Sequence, residues 1–532
     1  MTKKVILAAA YSPIEPLAPM HLSSVARQEG WEPRIVLGRE PDFPEIKAAI
    51  ESDKPDLLGF SVFTGNHPKI FAFLNRIKAE HPHLGVVVGG PHITVFPQKV
   101  LEHADYAVLS EGFDAFRRIL RGQARQGIVP VEKLEHIPPA DRAQFYRDYP
   151  EHAASKVKSV ITQTGCPHSC NYCYNSVGTD SLASILTGEQ MGRMKEALGK
   201  TGRLFPRSVR TVEEVVAEIE DIQRLAPETL MIFFQDDSFG ANIGWLREFR
   251  EKYKGVPFHL MTRFEFVDPS NPTGRERGRL LKEAGCSGLT FAIESADPEI
   301  REDVLNRHMS EDDQLMFRTL EYCRDLGFGV RTFSILGIPY GATETPTEIN
   351  LEQDLKTLDL NVRLKEKTGL PTIAWASTLV PYAETKIDRY CKEHGHYIGD
   401  YDDIHKIGFR DESVLRFPRK WVGPGLNGET PDAWLSPSEN SNYRRQLKTL
   451  MAGFPLFALL PNGQEVAREI LEREKPSWNL YEFALTPEVL RNIPRSEKFA
   501  EALRKEGKCD EGKVNDITRK HLYNYELYKI EK

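Results

Sequence analysis

Apolar runs alternate with amphipathic segments twice along the chain. In the first alternation, short continuous β-prone runs recur at Val5–Ala10, Arg34–Leu37, Leu57–Phe63, Val86–Gly89 and Tyr106–Leu109, separated by helical segments such as Ala18–Gln28, Phe43–Ser52 and Lys69–Glu80. Strands buried on both faces read as unbroken apolar runs, and alternation with helices implies right-handed crossovers and a parallel sheet. Residues 1–125 are therefore expected to form a doubly wound, Rossmann-like α/β domain. Pro130, Pro138, Pro139 and Pro150 then punctuate a polar stretch, which reads as a linker over 126–155. The second alternation has six β-prone runs, Val157–Thr164, Leu230–Phe234, Phe258–Thr262, Gly288–Glu294, Val330–Ile338 and Thr372–Leu379, with helices such as Val212–Arg224 and Gln314–Leu326 between them. Six units over 156–385 predict a partial (β/α)6 barrel rather than a closed barrel of eight. Beyond it, a charged stretch (Asp400–Lys420) and one rich in Gly, Pro, Asn and Ser (Trp421–Asn442) lead to amphipathic segments at Tyr443–Leu460, Gln464–Glu474 and Ser496–Lys505. Residues 386–532 are thus expected to be a mostly helical C-terminal domain packed across the open side of the barrel and lining a substrate chamber.

Composition narrows the class without naming a function. The 532 residues are 40% hydrophobic and 28% charged with net charge −7, enough chain for about three domains and without the basic footprint of a nucleic-acid binder. The apolar run after Met1-Thr2-Lys3-Lys4 is too short for a signal peptide or a membrane span. Seven cysteines, three of them clustered, fit a reducing compartment better than a disulfide framework, so a cytoplasmic location is expected.

Candidate chemistry lies at the carboxyl ends of the predicted strands. In the first domain these loops are polar or glycine-rich: Tyr11–Pro19, Phe63–His67, Gly89–Thr94 and Ser110–Gly112. No G-x-G-x-x-G follows the first strand, which argues against a nicotinamide dinucleotide. In the second domain the first strand leads into Cys166-Pro167-His168-Ser169-Cys170-Asn171-Tyr172-Cys173. Three cysteines spaced C-x3-C-x2-C can hold three irons of a cubane cluster and leave the fourth iron without a protein ligand. Structural zinc needs four ligands, and Cys286, Cys323, Cys391 and Cys509 are isolated, in segments read as helical or tail.

The cysteine spacing, with Tyr172 before the third cysteine, resembles the signature of the radical S-adenosylmethionine (radical SAM) enzymes. The resemblance implies a [4Fe-4S] cluster whose open iron is chelated by SAM and whose electron cleaves SAM to a 5′-deoxyadenosyl radical. The set Ser61, Phe63, Thr64, Asn66, Gly89, Gly90, His92, Thr94, Glu111 and Gly112 is similar to the cobalamin-binding domain of the B12-dependent branch. No D-x-H-x-x-G is present to supply a histidine to cobalt, which implies cobalamin with its own base off the metal. His67 and His92 are alternative cobalt ligands, or simply hydrogen-bonded loop histidines.

The same resemblance assigns Tyr172, Asp236, Asp237, Arg263, Glu294, Gly337, Ile338 and Pro339 to SAM. Asp236 and Asp237 can equally cap a helix, and Glu294 can equally make a structural ion pair. Leu336–Thr345 looks like the family's glycine/proline turn beside adenine, and Pro381–Thr385 like its P-x-x-G-T turn with Glu384 in place of glycine. The implied function is B12-dependent radical SAM methyl transfer, with methylcobalamin donating to an unactivated carbon, or to phosphorus. The alternative is radical cyclisation, dehydrogenation or C–C coupling with cobalamin as an electron carrier or absent; a corrinoid carrier or sensor with a degenerate barrel is a third reading. Implied partners are a small-molecule substrate and an external electron donor such as flavodoxin or ferredoxin, with no nucleic acid and no membrane span.

Overall fold

Five of the apolar runs of the first domain form strands β1 (Lys4–Ala10), β2 (Glu32–Gly38), β3 (Leu57–Ser61), β4 (Gly85–Gly89) and β5 (Tyr106–Val108). A computed structural model describes residues 2–240, 242–309, 313–339, 351–399, 401, 412–419, 434–473 and 476–522. The expected turn residues Tyr340–Thr345 lie outside the described residues. A sixth strand, β6 (Gly127–Val129), extends the sheet past the boundary expected at residue 125. Two helices, Arg142–Asp148 and Pro150–Ala154, occupy the stretch read as linker.

All pairings in this sheet are parallel, in the order β2-β1-β3-β4-β5-β6. The chain reverses direction across the sheet between β1 and β3, and open α/β sheets bind ligands beyond the carboxyl ends of their strands at such a switch. Tyr11 and Ile14 after β1, and Phe63 after β3, are exposed large apolar residues at that place.

The loop geometry around the switch is tightly constrained. Gly90 follows β4 at φ +104, and a Cβ there would lie 2.7 Å from the Val62 carbonyl oxygen. Its close approach is to the neighbouring loop's backbone. Gly90→Ala is expected to lower stability by about 1–3 kcal/mol, read as a lower urea midpoint with unchanged slope.

The second domain is an open, curled half-barrel. Strands β7 (Val157–Val160), β10 (Met231–Phe234), β11 (Phe258–Thr262), β12 (Cys286–Glu294), β13 (Gly329–Leu336) and β14 (Ile373–Thr378) pair in parallel in chain order. A small antiparallel ladder, β8 (Gln163–Thr164) with β9 (Ser208–Val209), sits between β7 and β10 in sequence. Cys286, read as lying in a helical segment, begins β12.

Side-chain parity sorts the faces. Ile232, Phe234, Leu260, Leu289, Phe291 and Ile293 pack outward against the barrel helices. Met231, Phe233 and Ile335 share a core with Leu447, Leu450 and Phe454 of the C-terminal helix Pro437–Phe457. The C-terminal region is helical, as expected, and covers the half-barrel's open side. Among the described residues no helix is long and apolar enough to cross a membrane.

A buried ion network joins the three segments. Arg142 binds Glu15 of the first domain (3.0 Å) and Glu218 of the barrel (2.7 Å), and Arg210 binds Glu218 (2.5 Å). Glu15 also accepts the backbone N–H of Ser159 on β7 (2.7 Å) and the hydroxyl of Tyr146 (2.6 Å). These bonds fix the carboxyl end of the first sheet against the first barrel strand.

Candidate active site

The cysteine loop is held in shape from both sides. Gly165 enters it at φ +65 with a would-be Cβ 2.7 Å from the Pro206 carbonyl oxygen. The Arg203 guanidinium donates to the carbonyls of Cys166 (2.6 Å) and His168 (2.8 Å). Opposite, Asn306 donates to the Ser169 carbonyl (2.8 Å), and the backbone N–H of Asn171 donates to Leu305 (2.9 Å). Leu305 and Asn306 follow the π-helical turn Ile300–Val304.

Cys170 is buried, Cys166 and Cys173 are half-buried, and all three are free thiols. Burial pushes the Cys166 thiol up and that of Cys173 up to about 12. Thiolates at these positions therefore call for positive charge beside them, which bound iron supplies.

Glu294 ends β12 at φ +65, where the register with β13 shifts. Its Oε1 accepts the hydroxyl of Tyr172 (2.5 Å), while Oε2 is buried without a partner. Burial raises its pKa, with Arg307 opposing the rise. Burial, and then the neighbouring Glu294, also raise the Tyr172 hydroxyl well above its ordinary value.

The two adjacent acids after β10 separate. Asp237, at the exposed rim yet ringed by protein that raises its pKa, accepts from Asn175 (3.0 Å), whose amide is 3.7 Å from Cys173 Sγ. Asp236 turns the other way. It is fully buried, accepts the backbone N–H (2.7 Å) and hydroxyl of Thr162, and is pushed up to about 7 by burial. It braces the strand leading to the cysteines, and its expected place on SAM is not supported.

Arg263 is likewise committed within the protein. Its Nε and Nη2 bind Glu265 (3.0 and 2.5 Å), Nη2 also donates to the Arg307 carbonyl, and Nη1 is 3.9 Å from Cys170 Sγ. Gly337, at φ +70, donates its N–H to Asp354 (2.9 Å), and a Cβ there would be 2.5 Å from Leu447. Its glycine requirement comes from the left-handed φ, with the Leu447 side chain of the C-terminal helix close by, while Ile338 and Pro339 are buried.

The geometry adds four residues that sequence reasoning missed: Asn175, Arg203, Asn306 and Arg307. Arg307 has its Nη1 4.0 Å from Cys170 Sγ and its Nη2 2.9 Å from the Ala292 carbonyl.

Most of the polar residues assigned to cobalamin serve the loops themselves. Asn66 accepts the N–H of Phe63 (2.9 Å), and Thr94 donates to Gly90 (3.0 Å) and accepts from Ser110 (3.1 Å). His92 is buried, stacked 3.9 Å from His67 and 3.0 Å from the Thr64 hydroxyl. Burial, reinforced by His67, holds its pKa down at about 3. Phe63 is exposed, and Ser61, Gly89, Glu111 and Gly112 are partly exposed. Glu111 Oε1 accepts the Phe113 N–H (2.7 Å), its Oε2 is buried without a partner, and burial lifts the carboxyl to about 8. Thr64 also lies 3.3 Å from the hydroxyl of Tyr174, the residue after Cys173.

The first sheet and the half-barrel with its cysteine loop each have a counterpart among known domain families. Residues 3–120 match the B12 binding domain family and residues 160–349 the radical SAM superfamily. The chain thus pairs a B12 binding domain with a radical SAM domain, in line with the resemblance to the cobalamin-dependent radical SAM family. It is 25% identical over 320 residues to an uncharacterized methyltransferase, PH0819, of Pyrococcus horikoshii, covering 54% of this chain and 62% of that protein. It is 26% identical over 216 residues to 2-(S-pantetheinyl)-carbapenam-3-carboxylate methyltransferase of Streptantibioticus cattleyicolor, covering 34% of this chain and 31% of that one.

Among solved structures, the fold is similar to that of the radical SAM methyltransferase TsrM of Kitasatospora setae. The form with tryptophan and the SAM analogue aza-SAM gives a TM-score of 0.54 at 16% identity over 74% of this chain and 77% of that one. The form with cobalamin and a [4Fe-4S] cluster gives 0.53 at 18% identity over 74% and 79%.

The family's cofactors are cobalamin, a [4Fe-4S] cluster and SAM, and the residues present fit them. Three thiols on one preorganised loop suit the cluster. The unpartnered Oε2 of Glu294 suits a donor such as the SAM ammonium or ribose. The exposed Tyr11, Ile14 and Phe63 at the sheet's switch point suit the apolar face of a corrin.

Proposed function

We propose that the protein transfers a methyl group from SAM, by way of cobalamin, to an unactivated carbon of a small molecule, or to phosphorus by a related route. The observation that carries this reading is the contact between Thr64 and Tyr174. It joins the loop that bears Phe63 to the residue next to Cys173, so the two cofactor regions adjoin. When bound, the cluster with SAM supplies a 5′-deoxyadenosyl radical, and cobalamin carries the methyl group.

The chain's own residues supply geometry. Cys166, Cys170 and Cys173 hold the cluster, Arg203 and Asn306 hold their loop, and Glu294 with Tyr172 receives SAM. Phe63 and its neighbours would seat the corrin from the sheet side, and His67 and His92 are buried and stacked on each other. The C-terminal helices close the half-barrel and keep water from reactive species. Electrons come from an external donor of the flavodoxin or ferredoxin type in the cytoplasm, and neither nucleic acid nor membrane takes part.

The test is anaerobic purification with cobalamin supplied, followed by incubation with methyl-labelled SAM and candidate small molecules. Label appearing in product, with iron and cobalt both bound, supports the reading. SAM cleavage without label transfer favours cyclisation, dehydrogenation or C–C coupling instead. A Glu294→Gln variant is expected to weaken SAM binding about tenfold or more, the loss of a charged hydrogen bond of about 1.5–3 kcal/mol, by equilibrium dialysis on the reconstituted protein.

A further inference from the structure

The middle cysteine sits between two guanidinium groups. Nη1 of Arg263 is 3.9 Å and Nη1 of Arg307 4.0 Å from Cys170 Sγ. Both arginines are buried, with 4% and 6% of their surface exposed. Neither is free to swing away: Arg263 is tied to Glu265 and to the Arg307 carbonyl, and Arg307 to the Ala292 carbonyl. Among the described residues no guanidinium comes as close to the sulfur of Cys166 or Cys173, although the charge of Arg263 also reaches Cys166; Arg203 binds carbonyls of their loop and Asn175 is the polar neighbour of Cys173.

A cluster's reduction potential follows its net charge, the hydrogen bonds to its sulfurs and its exposure. Reduction adds negative charge, so fixed positive charge beside a ligand sulfur favours the reduced state, and more strongly where water is excluded. N–H groups directed at the sulfur act in the same sense.

We propose that Arg263 and Arg307 set the reduction potential of the cluster, raising it through the Cys170 sulfur so that a one-electron donor can reduce a buried site. Glu265 partly offsets this by neutralising Arg263. The proposal rests on the cluster reading above and concerns the cluster alone, before SAM or substrate binds.

The experiment is a mediated redox titration of the full-length, anaerobically reconstituted protein without SAM, followed by electron paramagnetic resonance, with iron counted in each sample. Arg307→Met and Arg263→Met are each expected to lower the midpoint by at least a tenfold change in the reduced-to-oxidised ratio, about 59 mV for one electron. Arg307→Lys, which keeps the charge, is expected to stay near wild type. Glu265→Gln is expected to move the midpoint upward, a reversal of sign that a purely structural role would not produce. Met variants that retain iron and titrate like the wild type would overturn the proposal. Should those variants lose the cluster, Glu265→Gln decides alone, and an unchanged or lower midpoint there overturns it. A wild-type protein with neither iron nor signal would sink the cluster reading itself, an outcome distinct from unmoved midpoints.

Discussion

In Cys170→Ala, bound iron is expected to fall from about four per chain to near zero, and SAM cleavage below detection, while cobalamin binding persists. The asymmetry follows from the fold. Cys170 is the buried member of the trio, flanked by Arg263 and Arg307, and without its thiolate the cluster loses one of three anchors. Two guanidiniums would then lie beside an uncharged methyl group. The corrin site stands on the first sheet, whose loops are braced from within by bonds such as Thr94 to Gly90 and Asn66 to Phe63, and these persist whether or not the Thr64–Tyr174 contact to the cysteine loop is kept. Metal analysis with the ultraviolet–visible spectrum checks both halves. Retained iron in this variant would contradict the assignment of the ligands.

Arg142→Ala is expected to cost about 3–5 kcal/mol of stability, among the largest effects of any substitution away from the cysteines. Arg142 has 2% side-chain exposure, and its partners Glu15 and Glu218 have 3% each. Deleting the guanidinium leaves Glu15 without its arginine and Glu218 with Arg210 alone, both out of water.

The pH dependence is a second readout. Burial alone would raise the Glu218 carboxyl, but Arg142 and Arg210 outweigh it and hold it down at about 2. A depressed carboxyl stabilises the fold fully above its unfolded value, about 4.3, and that contribution is lost as pH falls through about 2. With one guanidinium gone, the folded value rises toward the unfolded one. The gap between wild type and variant should therefore narrow as pH falls from 7 to 3, measured as urea midpoints at each pH.

The strands were legible because a strand buried on both faces leaves an unbroken apolar run. The expected Phe258–Thr262 coincides with β11, and most other runs differ by one to three residues at an end. The three-residue β6 was not legible, since Gly127–Val129 sits among polar and charged neighbours and is held by pairing with β5 and by burial of Val129 alone in that core.

In the site, the cysteines announced themselves through spacing, but their environment did not. Arg203, Arg307 and Asn306 reach the loop across 35 to 137 residues of sequence, and no local pattern marks such contacts. Asp236 could have been sorted by counting. With Met231 and Phe233 facing the lumen and Ile232 and Phe234 facing out, strand parity sends Asp236 outward and Asp237 inward. Arg263 has inward parity, and its ion-pair partner two residues on, Glu265, is placed by the turn after β11.

The half-barrel ends at β14, a fully buried strand with β13 on one side and, among the described residues, no strand on the other. The helix Pro437–Phe457 packs against it. An uncovered apolar edge strand is a template for pairing with another chain, so the C-terminal helices also act as a guard against self-association. A version truncated after Thr385 would present that edge to its neighbours and is expected to aggregate, a failure of solubility quite separate from loss of a chamber wall.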